Sequence, residues 1–142
     1  MREILFRGKD FSGVINHSWC FGSLDTTGDD RAIIIYLDRF GNRCRIIVDP
    51  KTVGQYTGLK DKNGTKIFDG DIVLVPYIDP IFKCKCDNTL SERAIVRYGD
   101  SMFYVEYIES GDKFTLSTME GYMEIVGNIY DNPELLGGNN DG

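Results

Sequence analysis

The sequence has little of several residues on which catalysis and metal binding commonly depend. Its 142 residues include one histidine, one tryptophan, four prolines and four cysteines. No apolar run approaches the ~18 residues that a membrane-spanning helix requires, which excludes such a helix. The first ten residues also lack the apolar stretch of a secretory signal peptide, because Arg7, Lys9 and Asp10 interrupt it. We therefore expect a cytoplasmic protein without membrane association.

Charge is distributed unevenly along the chain. Sixteen Lys and Arg against 22 Asp and Glu give a net charge of −6. Residues 99–142 contain nine acidic side chains and one basic side chain, Lys113. Nucleic-acid binding needs clustered Lys and Arg, so nucleic acid is the less favoured partner. The acidic third is either a solvated face that keeps the protein soluble, which we favour, or a surface for a basic protein.

The cysteines do not have the spacing of a metal site. Cys84 and Cys86 form a C-x-C pair, which on a strand would direct both thiols to one face. Zinc sites usually combine two C-x₂₋₄-C pairs, or one such pair with two histidines. His17 is the sole histidine. We interpret the cysteines as reduced thiols and predict neither a metal nor another cofactor.

The apolar pattern predicts strands throughout. Residues 31–37 and 43–48 are rich in β-branched side chains, as is typical of strands. The short connection between them contains Gly41 and Asn42, which indicates an antiparallel hairpin. Asn63-Gly64 predicts a tight hairpin turn, because both residues tolerate positive φ. Short strands separated by turns favour an all-β barrel or sandwich with little helix. Further strands are predicted at 4–6, 19–21, 72–75 (stopped by Pro76), 94–98, 102–107, 114–116 and 124–130, with an irregular segment at 78–91 and a single turn at 132–136.

The catalytic signals are weak. A Ser-His-Asp hydrolase needs a histidine base with an orienting carboxylate, and no recognisable nucleophile motif lies near His17. The acidic turn at Asp61 fails the calcium-loop pattern because Gly64 arrives too early. Asp and Asn in such turns are explained by hydrogen bonds to the nearby backbone. We therefore predict that the protein is not an enzyme.

Three stretches together resemble the YopX family of phage and prophage proteins. Residues 55–73 read Q-Y-T-G-L-K-D-K-N-G-T-K-I-F-D-G-D-I-V, and residues 127–136 read G-N-I-Y-D-N-P-E-L-L. Phe6-Arg7-Gly8 is similar to the F-R-[GA] start of the family. The order and spacing of these motifs extend the resemblance over residues 4–136.

The resemblance implies an SH3-type β-barrel in the C-terminal part, preceded by a smaller β region. The expected division is an N-terminal β region at 1–50, the barrel at 51–136 and a disordered tail at 137–142. The resemblance also implies a phage or prophage origin, and hence a location in the cytoplasm of a bacterial host. It carries over no reaction, because the family has no established one.

Turn chemistry explains Gln55, Tyr56 and Thr57 least well among the signature residues, so we predict that they form a contact surface. The favoured function is a non-enzymatic β-barrel module that acts through protein–protein contacts. We expect a homo-oligomer, with a host or phage protein as a further partner, because open strand edges must be paired or covered. The alternative is an accessory nucleic-acid-binding protein in phage replication or recombination, since small barrels commonly present grooves to oligonucleotides.

Overall fold

The computed structural model describes residues 4–26, 31–78 and 85–137. These residues form eleven β-strands, two 3₁₀ turns and one short helix, α1 at Glu134–Gly137, so the all-β prediction is confirmed. No helix in these ranges is long and apolar enough to cross a membrane. The chain comprises two compact units, Met1–Gly58 (unit 1) and Leu59–Gly142 (unit 2). The tail predicted at 137–142 lies outside the described residues after Gly137.

Unit 1 is built on antiparallel strands in the order β4-β3-β2-β1-β5. Ala32 and Ile34 alternate on β3 and are buried, and Ile46 and Val48 do the same on β4. This two-residue period is what one buried sheet face requires, and the predicted hairpin is confirmed. The strands are β1 Phe6–Lys9, β2 Trp19–Asp25, β3 Ala32–Leu37, β4 Arg43–Val48 and β5 Gly54–Lys60, whose last two residues belong to unit 2.

The end of β4 also bonds to the segment that follows β1. Asp10 forms an isolated antiparallel bridge with Val48, the Asp49 amide donates to the Lys9 carbonyl at 2.9 Å, and the Phe11 amide donates to the Ile47 carbonyl at 2.9 Å. The sheet of unit 1 therefore curls, and only the first residues of β4 remain at its edge.

Unit 2 begins with the end of β5 and the hairpin to β6, and continues with an antiparallel sheet in the order β10-β9-β8-β7-β11. Alternating residues of the long strands enter one core, for example Val73 and Val75 on β7 and Val96 on β8, which are at most 2% exposed. The strands are β6 Lys66–Phe68, β7 Asp71–Ile78, β8 Lys85–Gly99, β9 Met102–Tyr107, β10 Lys113–Thr115 and β11 Glu124–Asn128. The SH3-type barrel requires closure of this sheet and stays a prediction.

The prediction that Pro76 ends a strand is wrong. β7 continues to Ile78, with Pro76 opposite Ser91 and register shifts directly after the proline. Because proline has no N–H to donate, an irregular position is where a strand tolerates it. The irregular segment predicted at 78–91 is likewise a strand from Lys85 onward, while residues 79–84 lie outside the described residues.

The turn at Asn63-Gly64 is present but differs from the predicted one. Positive φ is found at Gly64, with φ 85°, and not at Asn63. The turn is closed by the Asp61 amide, which donates to the Thr65 carbonyl at 2.9 Å. Asn-Gly alone predicts a tight turn of two residues, whereas the side chain of Asp61 holds the chain in a longer loop.

Replacement of Gly64 by valine is expected to lower the free energy of unfolding by about 1–2 kcal/mol, because L-residues are strained at positive φ and a β-branched residue most of all. No atom lies within 4 Å of the position that a Cβ would occupy, so the loss would come from the backbone alone. Thermal unfolding measures it. Gly64→Asn is the matched control, since asparagine tolerates this conformation, and an unchanged melting temperature in Gly64→Val would contradict the turn geometry.

Candidate interaction surfaces

The predicted contact segment, residues 55–57, lies on β5 of unit 1 next to β1. Phe6 is opposite Gln55, and the Tyr56 amide donates to the Leu5 carbonyl at 2.7 Å. The side chains of Tyr56 and Thr57 are 5% and 4% exposed, and Gln55 is half-buried. A partner that reaches this segment would therefore meet mainly Gln55, and a contact role for the three residues stays a prediction.

The family signature centres on a buried carboxylate. Asp61 is 6% exposed and accepts three backbone hydrogen bonds, from Asn63 and Thr65 at 2.9 and 3.0 Å and from Ile125 on β11 at 3.0 Å. Burial raises the pKa of Asp61. The backbone amides and the nearby Lys62 together lower this pKa by more than burial raises it, so it lies below the ordinary value. The carboxylate therefore fixes the β5–β6 turn and joins it to β11.

Asp10 organises the loop between β1 and β2 in the same way. Its carboxylate accepts from the Ile15 amide at 2.7 Å and from the amide and hydroxyl of Ser12 at 3.0 and 2.8 Å. His17 contacts the backbone carbonyl of Asp10 through Nδ1 at 3.0 Å, so the carboxylate is not the partner of the imidazole. Burial first, and then the charge of Asp10, raise the pKa of the Cys20 thiol, which keeps it protonated. This arrangement holds a loop and does not form a nucleophile–base pair.

A rigid tip of the β3–β4 hairpin displays an aromatic ring to solvent. Asp38 accepts the amides of Phe40 and Asn42, each at 2.8 Å, and Gly41 completes the turn with φ 83°. The amide of Asn42 lowers the pKa of Asp38, so the carboxylate stays ionised. Phe40 is 75% exposed and Leu37 is 69% exposed. Hydrogen bonds to Asp38 therefore fix the backbone of the turn, while its apolar side chains are exposed to water.

An open cleft of about 290 Å³ lies at the end of the β8–β9 hairpin and along β10. Met102, Tyr104 and Phe114 supply its apolar lining. The Lys113 Nζ lies 5.7 Å from the centroid of the Tyr104 ring, and Tyr107 meets Phe114 edge to face with centroids 5.4 Å apart. All three residues of β10, the outer strand of its sheet, are exposed. The cleft is thus accessible and lined by rings and a thioether.

Strained backbone borders this cleft. Asp100 and Ser101 connect β8 to β9, with φ of 51° and 66°, and the flanking Gly99 and Met102 are paired. Two positive φ angles are what a two-residue hairpin of this twist needs, and glycine or asparagine usually supplies them. Asp100 is tolerated in this conformation, whereas Ser101 costs about 1–2 kcal/mol. Such strain tends to collect at binding sites.

The charges at the tip and at the cleft are partly balanced. Arg39 and Arg43 are exposed beside the tip, whereas Arg45 lies further along β4, 3.5 Å from the Asp25 carboxylate. The cleft lining contains both Asp100 and Lys113. The charged side chains that line the cleft therefore have no excess of either sign.

Sequence reasoning missed both surfaces. Phe40 carried a usable signal, since a large apolar residue in a Gly-Asn turn is unusual for a position dominated by small polar residues. Lys113 is the single base of an acidic region, and the sequence leaves open whether its aromatic neighbours pack in the core or form a protein interface. The structure shows that these aromatic residues differ in exposure, since Phe103 is 7% exposed and Phe114 is 45% exposed.

Cysteine and carboxylate placement shows no metal site within the described ranges, where no group of three or more His, Cys, Asp or Glu side chains converges. Cys20 and Cys44 are free thiols. Cys84 lies outside the described residues, and Cys86 is on β8 without a described side chain. The prediction that this pair binds no metal therefore stays a prediction.

Fold and surfaces define a class of all-β protein, with two units that are each built of antiparallel strands and with exposed aromatic groups on hairpin ends. Comparison with protein families matches residues 15–137 to the family described as YopX protein. The chain therefore belongs to the YopX family, as the sequence resemblance predicted.

Two solved structures share the fold. Protein yopX from Bacillus subtilis aligns with a TM-score of 0.61 at 17% identity, and protein EF1440 from Enterococcus faecalis aligns with a TM-score of 0.54 at 24% identity. Each alignment covers 96% of this chain and 99% of the other. No match was found among curated proteins. At these identities the likeness establishes the fold and transfers no activity.

Replacement of Asp61 by asparagine is expected to lower the free energy of unfolding at neutral pH by about 1–3 kcal/mol, because it leaves backbone donors poorly satisfied. The acid response should change as well. A carboxyl whose pKa is lower in the folded state stabilises it above the unfolded pKa, near 3.9, and this contribution is lost as the pH falls through the folded pKa. Asparagine does not titrate, so the melting temperature of Asp61→Asn should fall less steeply below about pH 5.

The matched control is Glu109→Gln, which removes a carboxylate from an exposed position. It should keep both the neutral stability and the acid slope of the unsubstituted chain. Equal acid slopes in Asp61→Asn and the unsubstituted chain would contradict the role of Asp61 as an ionised acceptor.

Proposed function

We propose that this chain is a non-enzymatic β module of phage or prophage origin that acts in the bacterial cytoplasm through protein–protein contacts, including contacts between its own copies. Membership in the YopX family supports the phage setting. The rigid hairpin tip that holds Phe40 in solvent is the observation that carries the contact role. Its backbone is fixed by Asp38 before any partner arrives, so little ordering is needed on binding.

The composition of the exposed surfaces also supports a role in protein–protein contacts. Protein interfaces are enriched in aromatic residues, Met and Arg. The tip combines Phe40 with Arg39, whose guanidinium carbon lies 5.2 Å from the centroid of the ring. The cleft combines Met102 with Phe114. Each surface therefore has the residue types that bury well against another protein.

The roles of the perturbed carboxylates support a non-enzymatic module. Active sites concentrate groups with shifted pKa values in a cleft, poised for proton transfer. Burial raises the pKa values of Asp10, Asp38 and Asp61, but the hydrogen bonds that they accept, chiefly from backbone amides, outweigh it, so all three pKa values are lowered. These carboxylates are structural acceptors, because their oxygens are directed at the chain itself.

A nucleic-acid accessory role is the second candidate, and one arrangement favours it. The Arg7 guanidinium carbon lies 4.5 Å from the centroid of the Trp19 ring, and the Lys9 Nζ lies 5.7 Å from the same ring. Cations beside an aromatic ring are typical of surfaces that bind single strands, but Arg7 is only 7% exposed, so Lys9 is the cation of this pair that a strand could reach. The net charge of −6 opposes this role, because most of the affinity for phosphate comes from excess basic charge.

Light scattering across a wide range of protein concentration separates the two candidates when it is combined with titration of a fluorescent single-stranded oligonucleotide. We expect a mass that rises above one chain with concentration, and no oligonucleotide binding at physiological salt. A single-chain mass at every concentration would refute self-association. Oligonucleotide binding that weakens steeply with added salt would favour the nucleic-acid role instead.

A further inference from the structure

We propose that Asn63 is a site of covalent self-modification, where the chain loses ammonia and forms aspartate or isoaspartate, and that the hydrogen bonds of the turn around Asp61 slow this reaction while unit 2 is folded. The inference goes beyond the proposed function, because neither a partner nor a second copy of the chain takes part. It concerns the exposed loop between β5 and β6 and the attachment of that loop to β11.

The reaction needs only the chain and water. The backbone nitrogen of Gly64 loses its proton, attacks the side-chain carbonyl carbon of Asn63 and closes a five-membered succinimide ring, while the side-chain nitrogen leaves with that proton as ammonia. Water then opens the ring at one of its two carbonyl groups. Opening at the side-chain carbonyl gives aspartate, whereas opening at the main-chain carbonyl gives isoaspartate, in which the backbone passes through the former side chain.

The sequence and the exposure of the loop select this asparagine. A side chain on the following residue hinders ring closure, so an asparagine reacts most readily when glycine follows it. Asn63-Gly64 is the only Asn-Gly pair in the sequence. Both residues are exposed, and no atom lies within 4 Å of the position that a Cβ of Gly64 would occupy. Water can therefore reach the site, and ammonia can leave it.

The folded turn engages the atoms that would react. The Gly64 amide, whose nitrogen is the nucleophile, donates to the Asp61 carbonyl at 3.0 Å. The amides on either side, those of Asn63 and Thr65, donate to one oxygen of the Asp61 carboxylate at 2.9 and 3.0 Å. Ring closure draws the Gly64 nitrogen towards the Asn63 side chain and away from the Asp61 carbonyl. The reaction therefore requires the turn to open locally, which costs free energy in a folded chain.

A second turn of the chain provides a matched comparison. Asn42 is also exposed, and its amide also donates to an aspartate carboxylate, that of Asp38, at 2.8 Å. Arg43 follows it in the sequence, and the arginine side chain hinders ring closure. The two turns thus share exposure and an aspartate acceptor, and they differ in the residue that follows the asparagine.

The isoaspartate product would weaken unit 2. It adds one carbon atom to the backbone between the amides of residues 63 and 65, which donate to the same oxygen of Asp61, so these amides lose their present spacing. The other oxygen of Asp61 accepts the Ile125 amide of β11 at 3.0 Å, and a displaced Asp61 side chain would disturb this bond as well. We therefore expect chains with isoaspartate at this position to unfold at a lower temperature than unmodified chains.

Peptide mass spectrometry of the full chain, incubated either folded or in urea in mildly alkaline buffer, tests the inference. The fragment that contains Asn63 should gain the mass difference between OH and NH₂ and separate into two chromatographic products. This gain should be at least about tenfold slower in the folded chain than in urea, because hydrogen bonds of the turn must break first. The fragment that contains Asn42 should react far more slowly in both conditions.

Three variants separate the turn from the overall stability of unit 2. Asp61→Ala removes the acceptor carboxylate, and its folded chains should react about tenfold faster than the unsubstituted folded chain. Val105→Ala removes methyl groups from a fully buried position of the same unit and should keep the slow rate. Asn63→Ser removes the reacting amide, so its melting temperature should not change on incubation, whereas that of the unsubstituted chain should fall. Melting curves taken before incubation identify the variants that are folded.

The comparison of folded and urea-treated unsubstituted chains decides the inference even if Asp61→Ala does not fold. Equal rates in the two conditions would show that the turn gives no protection. A reaction at Asn42 as fast as that at Asn63 in urea, or none at Asn63, would show that the site is wrong. Equal rates in folded Val105→Ala and Asp61→Ala would assign the protection to overall stability and overturn the role of the turn.

Discussion

The turns of this protein depend on aspartate carboxylates that accept backbone amides. Asp10, Asp38 and Asp61 each accept at least two amides, and Asp71 accepts the Phe68 amide at 2.7 Å. Turn amides have no ladder partner, and leaving a buried one unpaired costs about as much as a lost hydrogen bond. An ionised carboxylate is a strong acceptor with room for several donors. Each aspartate thereby fixes a turn, and the turn fixes the register of its strands.

Register connects these turns to the surfaces. A slip of one residue would send every side chain of a strand to the opposite face. With the β3–β4 turn held by Asp38, Ile34 is buried and Phe40 is carried out to the tip. The apolar ring in solvent and the filled core of unit 1 are therefore two results of one constraint.

The sequence predicts those parts of the fold that local chemistry determines. β9 has the predicted bounds, and the hairpin of β3 and β4 follows from β-branched residues around a Gly-Asn turn. The long β8 and the passage of β7 through Pro76 depend on pairing between distant segments, which no local pattern encodes. The loop at Asn63-Gly64 differs because a side chain, Asp61, competes with the intrinsic preference of the two turn residues. The surfaces were missed because a strand pattern does not say which of two aromatic residues, Phe103 or Phe114, will be covered.

The bond between Asp61 and the Ile125 amide spans 64 positions of the chain. During synthesis from the N-terminus, every strand of unit 1 emerges before any residue of β11, so the first unit can acquire its core while the second is still being made. Unit 2 has to wait for residues 124–128, which supply both the final edge of its sheet and the third donor to Asp61. The first unit can therefore fold as soon as its own strands have emerged from the ribosome, whereas the second cannot be completed before β11 has followed.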